Sequence, residues 1–259
     1  MMDTETKEIT ITYPEAVDLH LHIRAGGCHF EIKPGEGEDW IRGTYRDPSG
    51  RRSPKITQEG GTVRIDTFES PVDEVVGAFA GLPKYELALG KAQPFTLIIE
   101  SGAGEFDFDA GGIPLKRLEV KQGAGKYEVD FSAPNPEPMS LVHFGTGAGS
   151  MEVTNLANAN CAEMRFEGGA AYYKFDFGGI LQQSSHVRIA TGMSSVEIAI
   201  PADTAAKITS DALLAPVDLG QGFTRKAGGY WTEAATRGES PTLTIRTSVA
   251  LGALKLRTT

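Results

Sequence analysis

Asp18, His20 and His22 alternate along VDLHLHIRAGG, residues 17–27. In an extended strand alternate side chains share a face, so this spacing sets a carboxylate and two imidazoles side by side. That is a donor set with which hydrolases of the βα-barrel type hold a divalent ion. A site of that kind needs further ligands and a regular series of amphipathic helices between the strands. Only His29, His143 and His186 remain in the chain, and no such helical series separates its apolar segments. The two histidines are therefore expected to point outward as solvated strand residues, with no metal and no cofactor.

The elements that carry them explain the pattern. LHIRAGGCHFEIK recurs as LIIESGAGEFDFD, LEVKQGAGKYEVD, VHFGTGAGSMEVT, MRFEGGAAYYKFD and VRIATGMSSVEIA. Aligned on Gly26, Gly102, Gly123, Gly147, Gly169 and Gly192, the last five copies lie 21, 24, 22 and 23 residues apart. Five and three residues before each glycine stand Leu21/Ile23, Leu97/Ile99, Leu118/Val120, Val142/Phe144, Met164/Phe166 and Val187/Ile189. Four and six after it stand Phe30/Ile32, Phe106/Phe108, Tyr127/Val129, Met151/Val153, Tyr173/Phe175 and Val196/Ile198. All 24 are apolar or aromatic in a chain that is 40% apolar overall, which fixes the alignment. A period of two on each side of a glycine reads as strand, turn, strand, with one face of each strand buried.

The fold class is therefore all-β: stacked strand–turn–strand repeats of about 22 residues, a β-helix-like solenoid, with an antiparallel β-sandwich as the alternative. No composition break divides the chain, so 1–259 reads as one domain. Divergent repeats occupy 8–93, the clearest ones 94–201, and a cap 202–259, whose last strand–turn–strand is imperfectly in register. PKITQEGGTVRID (54–66) reads as a hairpin around Gly60 and Gly61, DPSGRRSP (47–54) as a polar loop, and residues 70–82 as a short helical turn.

Outward positions carry the remaining chemistry. Stacked in register, Asp107, Glu128, Glu152 and Glu197 form an acidic row, with Lys174 among them. Such a row can hold a cation or a basic partner, or act on polysaccharide as paired carboxylates do. Tyr172, Tyr230 and Trp231 fall outside the buried register and are candidates for an exposed surface; Cys28 and Cys161 read as small buried residues.

Composition narrows the function classes. Net charge is −9 without a run of lysine or arginine, which argues against nucleic acid as partner. Two distant cysteines give no disulfide framework. The first ten residues, MMDTETKEIT, have no signal-peptide core, and no apolar run reaches the length of a membrane span. A cytoplasmic location follows as the expectation, with the envelope reached through a partner. There is no G-x-S-x-G elbow, no Cys/His pair in a recognisable context and no phosphate-binding loop ahead of a helix.

The succession of GAG turns, then GGAA and FDFGG, then VRIATGMSSVEIAIP resembles the bacterial toastrack domains found in adhesin-like proteins and in the C-terminal part of LiaF-type proteins of the cell-wall-antibiotic response. The resemblance is strongest over 94–201, extends to 230–256 and is slight before Tyr85. It implies a non-catalytic binding, sensing or scaffold domain in envelope-stress signalling, with a membrane or signalling protein or cell-wall glycan as partner. It brings no catalytic residues. The alternative function is a polysaccharide lyase or hydrolase, or a carbohydrate-binding adhesin.

Overall fold

A computed structural model describes residues 6–67, 81–211, 216–226 and 228–259. The helical turn expected at 70–82 lies almost wholly outside them. Among the described residues the strands are β1 (Thr6–Ile11), β2 (Leu19–Gly27), β3 (His29–Pro34), β4 (Ile41–Arg46), β5 (Lys55–Glu59), β6 (Thr62–Thr67), β7 (Lys84–Leu89) and β8 (Phe95–Asp109). They continue as β9 (Leu115–Asp130), β10 (Leu141–Thr154), β11 (Glu163–Asp176), β12 (Ser185–Ile200), β13 (Ala205–Ser210), β14 (Val217–Leu219), β15 (Phe223–Lys226), β16 (Gly229–Thr232) and β17 (Thr242–Thr258). The described helices are a single 3-10 turn at Leu156–Ala159 and α1 (Glu233–Arg237).

Each long strand is one bent rung. In β8 the buried residues are 97 and 99 before the turn but 106 and 108 after it, so the parity changes across the glycines. A straight strand would send these pairs to opposite faces. They share one core because the strand bends and brings its two arms round it, as shown by the Phe166 and Phe175 rings of β11, whose centroids are 4.3 Å apart. All 24 aligned apolar positions are buried.

The rungs stack in parallel and in the aligned register: β8 on β9, β9 on β10, β10 on β11, β11 on β12 and β12 on β17. This parallel stacking excludes the antiparallel sandwich. β2 and β3 form the two arms of a further rung beside β8. The arms belong to separate ladders, since β2 has β6 on its other side whereas β3 has β7. Antiparallel strands close the stack: β5 on β6, and β4 and β1 beyond β7, at one end; β16 and β15 beyond β13 at the other. Terminal units that depart from the repeat are how such a stacked array ends.

The final rung corrects one expectation. β17 pairs with β12 from Ser185↔Leu243 to Ile200↔Thr258, so it is fully in register. Ala250 stands where the other rungs have glycine, and α1, capped by the Thr232 side chain, precedes the strand. The 54–66 hairpin forms as expected, with Gly60 at φ +55°.

Close stacking accounts for the glycines. A Cβ on Gly123 or Gly147 would lie 2.5 Å from the carbonyl oxygen of the glycine one rung away. The loops between rungs are tied by buried asparagines that repeat signals do not reveal. Asn135 Nδ2 donates to Leu115 O at 2.8 Å, Asn158 Nδ2 to Phe131 O at 2.8 Å and Asn160 Nδ2 to Asn135 O at 3.3 Å. Each buried amide thus finds backbone partners on the adjoining rung. The polar loop at 47–54 is likewise built round a buried group: Asp47 accepts from the backbone N–H groups of Ser49, Arg51 and Arg52 and from the Ser49 hydroxyl.

Candidate functional site

Alternation turns residues 107, 128, 152 and 197 outward on the second arms, and register sets them in one row. Asp107 lies opposite Glu128 and Glu128 opposite Glu152. Lys174 then intervenes before Glu197, so three of the four carboxylates are adjacent and the fourth is separate. Glu31 and Glu86 extend the row beyond Asp107, two contributors that the sequence reading did not include in the site. Glu31 occupies the aligned position of the first repeat, which was the available signal for it.

Lysines interleave with the row. Lys84 Nζ lies 2.8 Å from Glu31 and 2.7 Å from Glu86, Lys126 lies 2.8 Å from Glu128, Lys174 2.5 Å from Glu152 and Lys255 2.9 Å from Glu197. Asp107 has no cationic partner within ion-pair distance among the described residues. Partial burial first, then the charges of Glu128 and Glu31, hold its carboxyl above the ordinary aspartate value. It opens on a hollow of 420 Å³ that Glu128, Glu152, Asp109, Asp130 and Thr154 also line. The deeper acids are occupied: Asp109 accepts from Gly111 N and Ser132 Oγ, and Asp130 from Thr154 Oγ1 and Asn155 Nδ2. A positive group arriving from solvent would therefore meet the Asp107 carboxylate first.

The histidines lie outside this row. His20 is exposed on β2, and His22, on the same face, places Nε2 3.2 Å from Glu100 Oε2, where Arg24 also reaches. Among the described residues no three His, Cys, Asp or Glu side chains converge as metal ligands. His143 sits between Glu119 and Glu167 at 3.5 and 3.6 Å. Burial pushes the Glu119 carboxyl up, but the Arg117 hydrogen bond and charge, with His143, outweigh it and leave Glu119 below its usual value. The Nδ1 atom of His29 accepts the Glu105 backbone N–H at 3.1 Å.

The remaining candidates separate clearly. Tyr172 is exposed, whereas Tyr230 and Trp231 are half-buried in the C-terminal closure, with Lys207 and Lys226 each 4.7 Å from the Trp231 ring centre. Cys28 and Cys161 are buried free thiols; burial raises both, Cys161 to about 12, so neither is a ready nucleophile.

A family model described as the N-terminal domain of toast_rack, DUF2154, matches residues 1–154. The match thus includes the first 84 residues, where the resemblance carried by the motifs is slight. No curated protein matches the sequence. Among solved structures, a candidate cell adhesion protein from Clostridium sporogenes ATCC 15579 is 13% identical and has a TM-score of 0.50, with 99% of this chain and 100% of that one covered. A candidate lipid binding protein from Parabacteroides distasonis ATCC 8503 is 9% identical with a TM-score of 0.41, covering 100% and 97%. A candidate adhesin from Bacteroides fragilis NCTC 9343 is 9% identical with a TM-score of 0.40, covering 99% and 98%. At 13% identity the likeness to the Clostridium sporogenes structure is one of fold.

Proposed function

The chain belongs to the toast_rack family, and from that premise we propose that it is a non-catalytic interaction domain whose second-arm face recruits a basic partner. The observation that carries this is Asp107: the row neutralises itself with lysines everywhere except there, beside a hollow of 420 Å³. An arginine or lysine from a partner would supply the missing charge, and rim charges of this kind set association rate and salt dependence. We take 1–259 as one domain, and a membrane-associated or signalling protein of the cell envelope as the partner class. The name of the Clostridium sporogenes structure, a candidate cell adhesion protein, fits an interaction role.

Asp107→Asn combined with Glu128→Gln tests it. Because the folded value of Asp107 is raised, its ionised form costs stability. That cost is absent below the unfolded value near 3.8 and appears as pH rises through the folded one. The double variant should therefore fold at neutral pH at least as well as the wild type. Calorimetry with an oligolysine peptide should show binding that weakens with salt in the wild type and is largely lost in the variant. Equal affinity in the two proteins would refute the reading. Cleavage of a polysaccharide by the wild type, lost in the same variant, would place the row in an enzyme instead.

A further inference from the structure

The first-arm face carries the opposite charge at its C-terminal end. Arg165, Arg188 and Arg246 are successive register partners on β11, β12 and β17. Adjacent strands lie about 4.8 Å apart, and like charges directly opposite each other destabilise a sheet. The outer two guanidinium groups are held. Arg165 donates from Nε and Nη2 to Glu163 Oε1 at 3.0 and 2.7 Å. Arg246 donates from Nε and Nη2 to Asp211 Oδ2, also at 3.0 and 2.7 Å. Arg188, between them and exposed, makes no hydrogen bond or ion pair with any described residue.

The unpaired guanidinium lines a hollow of 490 Å³ together with His186, Thr209, Thr244, Ser248 and Arg246. The two acids in its lining, Glu163 and Asp211, are already engaged by Arg165, which stands outside the lining, and by Arg246, so Arg188 is the lining charge left without a partner. The hollow thus presents one guanidinium, that of Arg188, whose donors no carboxylate of the lining takes up. We propose that it is an anion site for a phosphate group, with Arg188 as the forked donor, Arg246 at the rim and the hydroxyls of Thr244 and Ser248 completing the set. A planar guanidinium matches two phosphate oxygens at once, and a tetrahedral group has further oxygens for a neighbouring rung. The phosphate would come from a soluble phosphorylated molecule or from a lipid headgroup. This site lies on the other arm from the acidic row and stands independently of the role proposed for that row.

Two probes separate the sources: pyrophosphate in calorimetry, and co-sedimentation with phosphatidylcholine vesicles with or without phosphatidylglycerol. The wild type should bind pyrophosphate, the anionic vesicles or both. Pyrophosphate binding assigns a soluble ligand, and binding to anionic vesicles alone assigns a headgroup. Arg188→Gln should weaken binding about tenfold or more, since a charged hydrogen-bond donor is lost. Arg225→Gln, an exposed arginine on β15, should bind like the wild type. Failure of both probes, an unchanged Arg188→Gln variant, or equal weakening by both substitutions would overturn the assignment. So would wild-type self-association in sedimentation that Arg188→Gln abolishes, without any response to phosphate, because a second copy's carboxylates would then be the occupant.

Discussion

The strand β10 contains three glycines within five residues, and the structure assigns each a different cost on conversion to alanine. At Gly145 a Cβ would meet only Lys121 Cγ, at 3.7 Å, an ordinary contact. Alanine there restricts the unfolded chain and should be neutral or stabilising by up to about 1 kcal/mol. At Gly147 the new atom would lie 2.5 Å from the carbonyl oxygen of Gly123, so a rung must shift; overpacking of this kind costs about 1–3 kcal/mol. At Gly149 it would lie 1.8 Å from Gly125 O, and φ is +133°, a conformation that L-residues avoid. Backbone strain of about 1–3 kcal/mol then adds to the overpacking, for a total of about 2–6 kcal/mol. Urea unfolding followed by circular dichroism measures the series, provided that the slope m is constant across the variants. The expected order of destabilisation is Gly145→Ala, then Gly147→Ala, then Gly149→Ala. If Gly149→Ala cost no more than Gly145→Ala, the in-register stacking of the turns would be wrong.

Two further outcomes follow from the core and from the Asp47 loop. Phe175 is fully buried against Phe166 and Tyr173, so Phe175→Ala should cost about 3–5 kcal/mol in the same urea assay, while its outward neighbour in Lys174→Ala should cost at most about 1 kcal/mol. The Asp47 carboxyl is pushed up by burial, but its hydrogen bonds from Ser49, Arg52 and Arg51 outweigh this and hold it below the usual value of 3.8. Its contribution is therefore present above that value and lost as pH falls through the lower folded one. Asp47→Ala should cost about 2–3 kcal/mol at neutral pH, and the difference from wild type should shrink in acid melts. A difference independent of pH would show that the charge is not what the loop uses.

The core was legible because it repeats: the same alternation recurs six times, so residues such as Val142, Met164 and Val187 identify one another without any structure. The bend between arms was legible only as a glycine-rich interval, since the change of parity has meaning once both arms are known to face one core. The last rung was obscured by Ala250 and by the insertion that forms α1. The first rung was legible in LHIRAGGCHFEIK, but the strands that flank its two arms, β6 and β7, come from later in the sequence and lack the glycine-centred pattern. The asparagine bridges were invisible for another reason: an asparagine in a loop looks like turn chemistry whether or not its amide spans two rungs. Of the arginine column, Arg165 and Arg188 share one aligned position, four residues before Gly169 and Gly192, whereas Arg246 was hidden because Ala250 replaces the glycine that would align its rung.

That last point is general to stacked parallel rungs. Every outward position becomes a column with neighbours about 4.8 Å apart, well inside the Debye length of about 8 Å at physiological salt. A charge is therefore never isolated on this surface, and a column of one sign must be relieved. The acidic column is relieved by a lysine two residues before the acid (Lys126, Lys84) or in the next rung (Lys174, Lys255). The basic column is relieved by Glu163, two residues before Arg165, and by Asp211 at the far edge. Each column nevertheless leaves one member uncompensated, Asp107 in the first and Arg188 in the second. Nothing in packing requires either residue to be charged, because both are exposed and line surface hollows where serine or threonine would satisfy the strand equally well. The charge at these two positions is thus surplus to the fold, which makes them the positions at which a partner's charge gains most on binding.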